Sequence, residues 1–116
     1  MIIALDYDGT YTLHPEFWLG VIHMARSVGH EIFCCTMRTP EEAKEMDKRL
    51  TSVVQVIATS RQGKREFLRE RGINPCVWID DMPDFIVAPS ADASAYKSGG
   101  VAVGKTKAKL VLGGKS

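Results

Sequence analysis

Four short apolar runs, each delivering polar residues at its C-terminal end and each separated from the next by a segment of helical spacing, constrain this chain more than any other feature. Ile2 to Leu5 runs into Asp6-Tyr7-Asp8-Gly9-Thr10, and Glu31 to Thr36, Val53 to Ala58 and Pro75 to Ile79 follow, with Phe85 to Ala88 as a candidate fifth strand. Continuous rather than alternating hydrophobicity is the pattern of strands covered on both faces. Between the runs, Phe17, Trp18, Val21, Ile22, Ala25 and Val28 recur at helical spacing and Gly29 supplies a stop. Thr39-Pro40-Glu41-Glu42 combines an N-cap, a proline at the first helical position and a capping-box acid, and Arg61 to Arg71 gives a third helix closed by Gly72. Strand and helix in alternation predict an α/β fold: a single three-layer, Rossmann-like domain with a mainly parallel sheet, binding ligands beyond the C-terminal strand ends.

A chain of 116 residues, 45% hydrophobic and 25% charged, accommodates one core. We expect the domain over residues 1–89 and an appendage of uncertain order over 90–116, where Ala, Ser, Gly and Lys dominate. Fifteen basic against fourteen acidic residues leave a formal charge of +1, so no global field favours nucleic acid or an anionic membrane. Cys34, Cys35 and Cys76 all lie in apolar, strand-like runs and read as buried free thiols. No basic leader precedes Asp6 and no run reaches membrane-spanning length, from which a cytoplasmic location is expected.

The strand ends carry the chemistry. Asp6 and Asp8 stand two apart, so strand alternation sends both carboxylates one way unless the backbone turns between them; an Asx-rich turn, with Gly9 and Thr10 as turn residues, is the competing structural explanation. Thr36 arrives beside the helix start at Pro40, where unpaired N–H groups favour a phosphate, although strand preference alone accounts for a β-branched residue there. Lys64 falls in the first turn of a helix, the unfavourable end for a cation unless it points at an anion. Asp80 and Asp81 then end the fourth strand as Asp6 and Asp8 end the first. Four carboxylates converging at one sheet edge are the expected site for Mg²⁺.

Asp6-x-Asp8-Gly9-Thr10, Thr36, Lys64 and Asp80-Asp81, in that order, resemble the motifs of the haloacid dehalogenase superfamily of phosphatases, and Leu5 to Thr12 and Trp78 to Pro83 resemble its small phage and bacterial members. The resemblance spans roughly residues 1–88. It implies a Mg²⁺-dependent phosphomonoesterase in which Asp6 attacks phosphorus, Asp8 protonates the leaving oxygen and then activates water, and Thr36 and Lys64 hold phosphoryl oxygens. It further implies Mg²⁺ on Asp6, the Asp8 carbonyl, Asp80 and Asp81. The stretches between Gly9 and Pro15 and between Ala58 and Lys64 are too short for a cap domain, so a capless member is expected. Its partner would be a small phosphorylated substrate or a nucleic-acid end, with no membrane and with a homo-oligomer allowed. One departure stands out: Tyr11-Thr12 follows Gly-Thr where that family carries a hydrophobic residue, which puts the packing of the entry loop in question.

Three other readings compete. Gly99 to Thr106 satisfies the P-loop pattern GxxxxGK[ST], but Ser94 to Ser98 makes a poor preceding strand and only ten residues follow Thr106. A receiver-type domain would place its phosphoryl-accepting acid after the third strand, where this chain has Ala58-Thr59-Ser60. A non-catalytic binder of a phosphorylated ligand or protein would keep every motif, since residues show competence and not use.

Overall fold

A computed structural model of the chain describes residues 1–89 and 111–112. Its elements run β1 (Ile2–Leu5), a 3₁₀ turn (Tyr11–Leu13), α1 (Pro15–Ser27), β2 (Glu31–Thr36), α2 (Pro40–Ala43), α3 (Lys48–Thr51), β3 (Val56–Ala58), α4 (Lys64–Arg69), β4 (Val77–Ile79), α5 (Asp84–Val87) and β5 (Val111–Leu112). The strands form one sheet in the order β3-β2-β1-β4-β5. The first four are mutually parallel, and β5 is antiparallel to β4, with Val77 opposite Leu112. The architecture is α/β and compatible with a Rossmann-like domain. The P-loop-like Gly99 to Thr106, like the rest of the segment after Pro89 apart from β5, lies outside the described residues.

Side-chain alternation along the central strands builds two cores. Ile3, Leu5, Ile32 and Cys34 face one way, onto Ile22 and Ala25 of α1 and Leu50 of α3. Ala4, Phe33, Cys35 and Trp78 face the other, onto Leu68 of α4 and Ile86 of α5. Burial on both faces is why these strands read as unbroken apolar text.

Local chemistry sets the element ends. Thr39 caps α2, its hydroxyl accepting from Glu42 N–H while the Glu42 carboxylate accepts from Thr39 N–H at 2.8 Å. The helix expected from that signal lasts one turn, and α3 restarts on a new N-cap, Asp47. Val53 and Val54, expected in the third strand, instead close the turn leaving α3, each donating its N–H to the Leu50 carbonyl. Phe85 to Ala88, the candidate fifth strand, falls instead in the helix α5 (Asp84–Val87) and its extended C-cap Ala88, whose backbone runs so close to Gly63 that a Cβ there would lie 3.2 Å from it. Cys34 and Cys35 are buried free thiols as expected, whereas Cys76 is exposed, because β4 begins one residue later. No helix among the described residues is long and apolar enough to cross a membrane.

Candidate functional site

From β1 the chain reaches β2 and β3 on one side and β4 on the other, so the C-terminal ends of β1 and β4 border the point where strand order reverses. Parallel sheets open a crevice at such a point. Leu5 pairs with Ile79, and the next residues, Asp6 and Asp80, therefore emerge side by side, with Asp6 N–H donating to the Ile79 carbonyl at 2.9 Å.

Lys64, the first residue of α4, inserts its ammonium between them, 2.8 Å from Asp6 Oδ1 and 2.5 Å from Asp80 Oδ2. All three side chains are buried. Burial drives a lysine toward neutrality, but the two facing carboxylates outweigh it and hold the Lys64 pKa well above its ordinary value. The remaining oxygens are engaged too: Thr10 Oγ1 donates to Asp6 Oδ2 at 3.1 Å, and Met82 N–H donates to Asp80 Oδ1 at 2.9 Å. Asp81 completes the group, its backbone N–H donating to Thr10 Oγ1 at 3.2 Å.

Oxygen atoms of Asp6, Asp80 and Asp81 all lie within 4.8 Å of one another. One ammonium does not balance three carboxylates at that spacing. Burial, then the neighbouring Asp6 carboxylate, pushes Asp80 up to about 7 despite Lys64. Burial, then a hydrogen bond with Asp6, pushes Asp81 up to about 7 as well. An all-oxygen donor set short of positive charge is one that could hold a hard divalent cation.

Gly9 is integral to this packing. It adopts φ +83°, and a Cβ there would lie 2.4 Å from Asp81 Oδ2. The absent side chain is what lets the turn close over the carboxylate.

The expected convergence of four carboxylates is corrected to three. After Leu5 the chain leaves extended geometry and turns through Tyr7 to Thr10, so strand alternation does not carry through to Asp8. Its carboxylate instead takes the fork of Arg38, Nε to Oδ2 and Nη2 to Oδ1, both at 2.9 Å. Thr36 sits buried at the end of β2, its hydroxyl accepting from Arg38 N–H at 3.2 Å. The loop after β2 thus fastens both Thr36 and Asp8 through one arginine, which also lies over the Tyr7 ring at 5.1 Å.

Neither Arg38 nor the Tyr7–Tyr11 contact was among the residues expected at the site. Tyr11 fills the slot expected to be hydrophobic: it is buried, stacks on Tyr7 with centroids 5.4 Å apart and donates its hydroxyl to Asp47 at 2.8 Å. Asp47 N–H in turn donates to the Tyr7 hydroxyl at 2.9 Å, tying α3 to the loop that carries Asp6 and Asp8. Thr10, bonded to Asp6 and to Asp81, was visible in the sequence as a turn residue and as the end of the Asp6-x-Asp8-Gly9-Thr10 motif, with no role of its own. After β3 stand Thr59, whose hydroxyl donates to the Gln62 carbonyl, and Ser60, with no carboxylate there. Comparison of the chain with protein-family models, curated proteins and solved structures finds no match.

Proposed function

We propose that the chain is a Mg²⁺-dependent phosphohydrolase of the haloacid dehalogenase type, cleaving phosphate monoesters through an aspartyl-phosphate on Asp6. The observation that carries this reading is the buried Asp6–Lys64–Asp80 cluster at the strand-order reversal, with Asp81 beside it. A purely structural ion pair needs two groups; three acids and one lysine at the strand-order reversal of a parallel sheet suit a cation and a phosphoryl group bound together.

In this mechanism an Asp6 carboxylate oxygen attacks phosphorus and the bond to the leaving oxygen breaks. Asp8 gives that oxygen its proton, then takes one from the water that attacks the aspartyl-phosphate, releasing inorganic phosphate and restoring Asp6. Asp8 must exchange the Arg38 fork for the substrate in the course of this cycle. Lys64 and Thr36 hold the transferring oxygens, Lys64 having the fixed charge and Thr36 the hydroxyl. Bound Mg²⁺, held by Asp6, Asp80, the Asp8 carbonyl and Asp81, would offset the charge that collects as phosphate approaches a carboxylate. With no cap over the crevice among the described residues, candidate substrates are nucleotides, sugar phosphates and nucleic-acid ends.

The test is hydrolysis of p-nitrophenyl phosphate. Turnover should require Mg²⁺, stop with chelator and fall by at least about a thousandfold in Asp6→Asn, since without the nucleophile the covalent route is closed. Full activity in that variant sinks the mechanism. A protein that shifts its melting temperature with Mg²⁺ and phosphate yet hydrolyses nothing is the non-catalytic binder instead.

A further inference from the structure

Arg38 is anchored on more sides than the acid it holds. Its Nη1 donates to the Glu42 carbonyl at 2.8 Å, its guanidinium carbon lies 5.1 Å from the centre of the Tyr7 ring, and its backbone N–H donates to Thr36 Oγ1 at 3.2 Å. Asp8 fills the remaining edge of the fork, Nε and Nη2, at 2.9 Å each, and among the described residues its carboxylate takes hydrogen bonds from Arg38 alone. When the two part, Asp8 moves and the guanidinium stays.

The acids around it are committed elsewhere. Glu42, whose carbonyl anchors Arg38, has its own carboxylate forked by Arg61 at 2.9 and 3.0 Å and accepts from Thr39 N–H at 2.8 Å. Asp6 and Asp80 are held by Lys64, and Asp47 by Arg49 and Tyr11. The Arg38 and Asp8 side chains are only 26% and 33% exposed, so solvent screens them in part and an emptied fork is a cation short of its partner.

We propose that the Arg38 fork, once Asp8 has left it, is the subsite for a second anionic group of the substrate, a carboxylate or a further phosphate. This rests on the phosphohydrolase reading, in which Asp8 leaves Arg38 to meet the leaving oxygen. The two parallel N–H donors match the edge of a carboxylate or phosphate, and the structure already seats one carboxylate there, that of Asp8 itself. The position also sets the reach. Asp8 passes from the fork to the leaving oxygen by turning a short side chain, so the second anion lies within a few bonds of the ester oxygen. A substrate with that group exchanges one anion for another at Arg38, whereas a neutral ester leaves the guanidinium unpaired and forfeits charge-assisted hydrogen bonds. The substrate class narrows to small phosphomonoesters with a neighbouring acidic group, ahead of neutral sugar or alcohol phosphates.

Steady-state kinetics of the full chain at fixed free Mg²⁺ test this with three small esters: ethyl phosphate, phosphoglycolate, in which a carboxylate replaces the methyl group, and ethylene glycol bisphosphate, which adds a second phosphate. On at least one of the two anionic esters kcat/KM should exceed that on ethyl phosphate by about ten- to a hundredfold, chiefly through KM, and the better of the two distinguishes carboxylate from phosphate. In Arg38→Met that advantage should collapse toward parity, and Arg38→Lys, which keeps the charge without the fork, should restore only part of it. Damage to the fold would lower all three esters alike, so the ratio between them is the readout. A wild-type chain with no preference for either anionic ester overturns the inference, and so does a preference that survives Arg38→Met. p-Nitrophenyl phosphate separates the two possible failures: if it is hydrolysed without such a preference, the phosphohydrolase reading stands and the subsite falls, and if no ester is hydrolysed, both fall.

Discussion

Replacing Lys64 by methionine keeps most of the side-chain volume and deletes one charge, which isolates what the ammonium does between Asp6 and Asp80. Both carboxylates are buried, and their oxygens contact the ammonium at 2.8 and 2.5 Å. Removing one member of a buried ion group leaves an uncompensated charge and costs about 3–5 kcal/mol. In a domain of this size each kcal/mol moves the midpoint by about 4–8 °C, so a fall of at least about 12 °C is expected. An exposed pair sets the scale for comparison: Lys44 and Glu41, 3.0 Å apart with side chains 72% and 82% exposed, should contribute less than about 1 kcal/mol, and Lys44→Met should hardly move the midpoint. Scanning calorimetry in chelator at pH 8 and pH 5 reads the difference. At pH 5 the raised pKa of Asp80 lets it take a proton, so the Lys64→Met deficit should shrink. Mg²⁺ at pH 8 should also restore part of it, the cation substituting for the ammonium. A deficit of equal size at both pH values would mean that Lys64 acts through the packing of its stem and would refute the electrostatic account.

Two further outcomes follow from the same cluster. Asp80 and Asp81 are both raised to about 7, so the metal-free native protein holds protons that the unfolded chain releases near 4; their contribution is whole below about pH 4 and is lost as the pH rises through about 7, with a slope of up to about 1.4 kcal/mol per pH unit for each. Urea unfolding in chelator from pH 5 to 8 should track that decline and Mg²⁺ should flatten it, while a flat profile in chelator contradicts the shifts. Gly9→Ala and Gly29→Ala both place a side chain at positive φ, but only at Gly9 does the new Cβ meet the Asp81 carboxylate, whereas at Gly29 it meets nothing within 4 Å. Each should cost about 1–2 kcal/mol of backbone strain, and Gly9→Ala alone should lose the Mg²⁺-dependent rise in melting temperature; equal Mg²⁺ responses would separate Asp81 from the cation site.

Much of the frame was legible because it rests on local rules. β2 spans Glu31–Thr36 as the sequence reading has it, α1 ends one residue short of the expected Val28, and the Thr39 capping box is present. That Asp6, Lys64 and Asp80 meet follows from their places at two neighbouring strand ends and one helix start. The misses lie where non-local contacts decide. Phe85 to Ala88 is four residues of strand-like composition, too short for periodicity to distinguish strand from helix, and only its packing against Gly63 shows where it sits. Alternation pointed Asp8 at the cluster, but the turn at Gly9 and an arginine thirty positions away turn its carboxylate elsewhere. No local signal announces that Arg38 will pair with Asp8 rather than with solvent.

The two adjacent thiols of β2 give the protein an internal clock. Cys34 belongs to the α1 and α3 side of the sheet and Cys35 to the α4 and α5 side, so one dipeptide samples both helical layers. Burial pushes the Cys34 thiol well up and Cys35 up to about 12, which keeps both protonated and inert at neutral pH. Cys76 is exposed and reacts without any opening. Pulsed alkylation followed by mass measurement would therefore register one immediate modification and two delayed ones. The lag between Cys34 and Cys35 would tell whether the two layers come away from the sheet together or in turn.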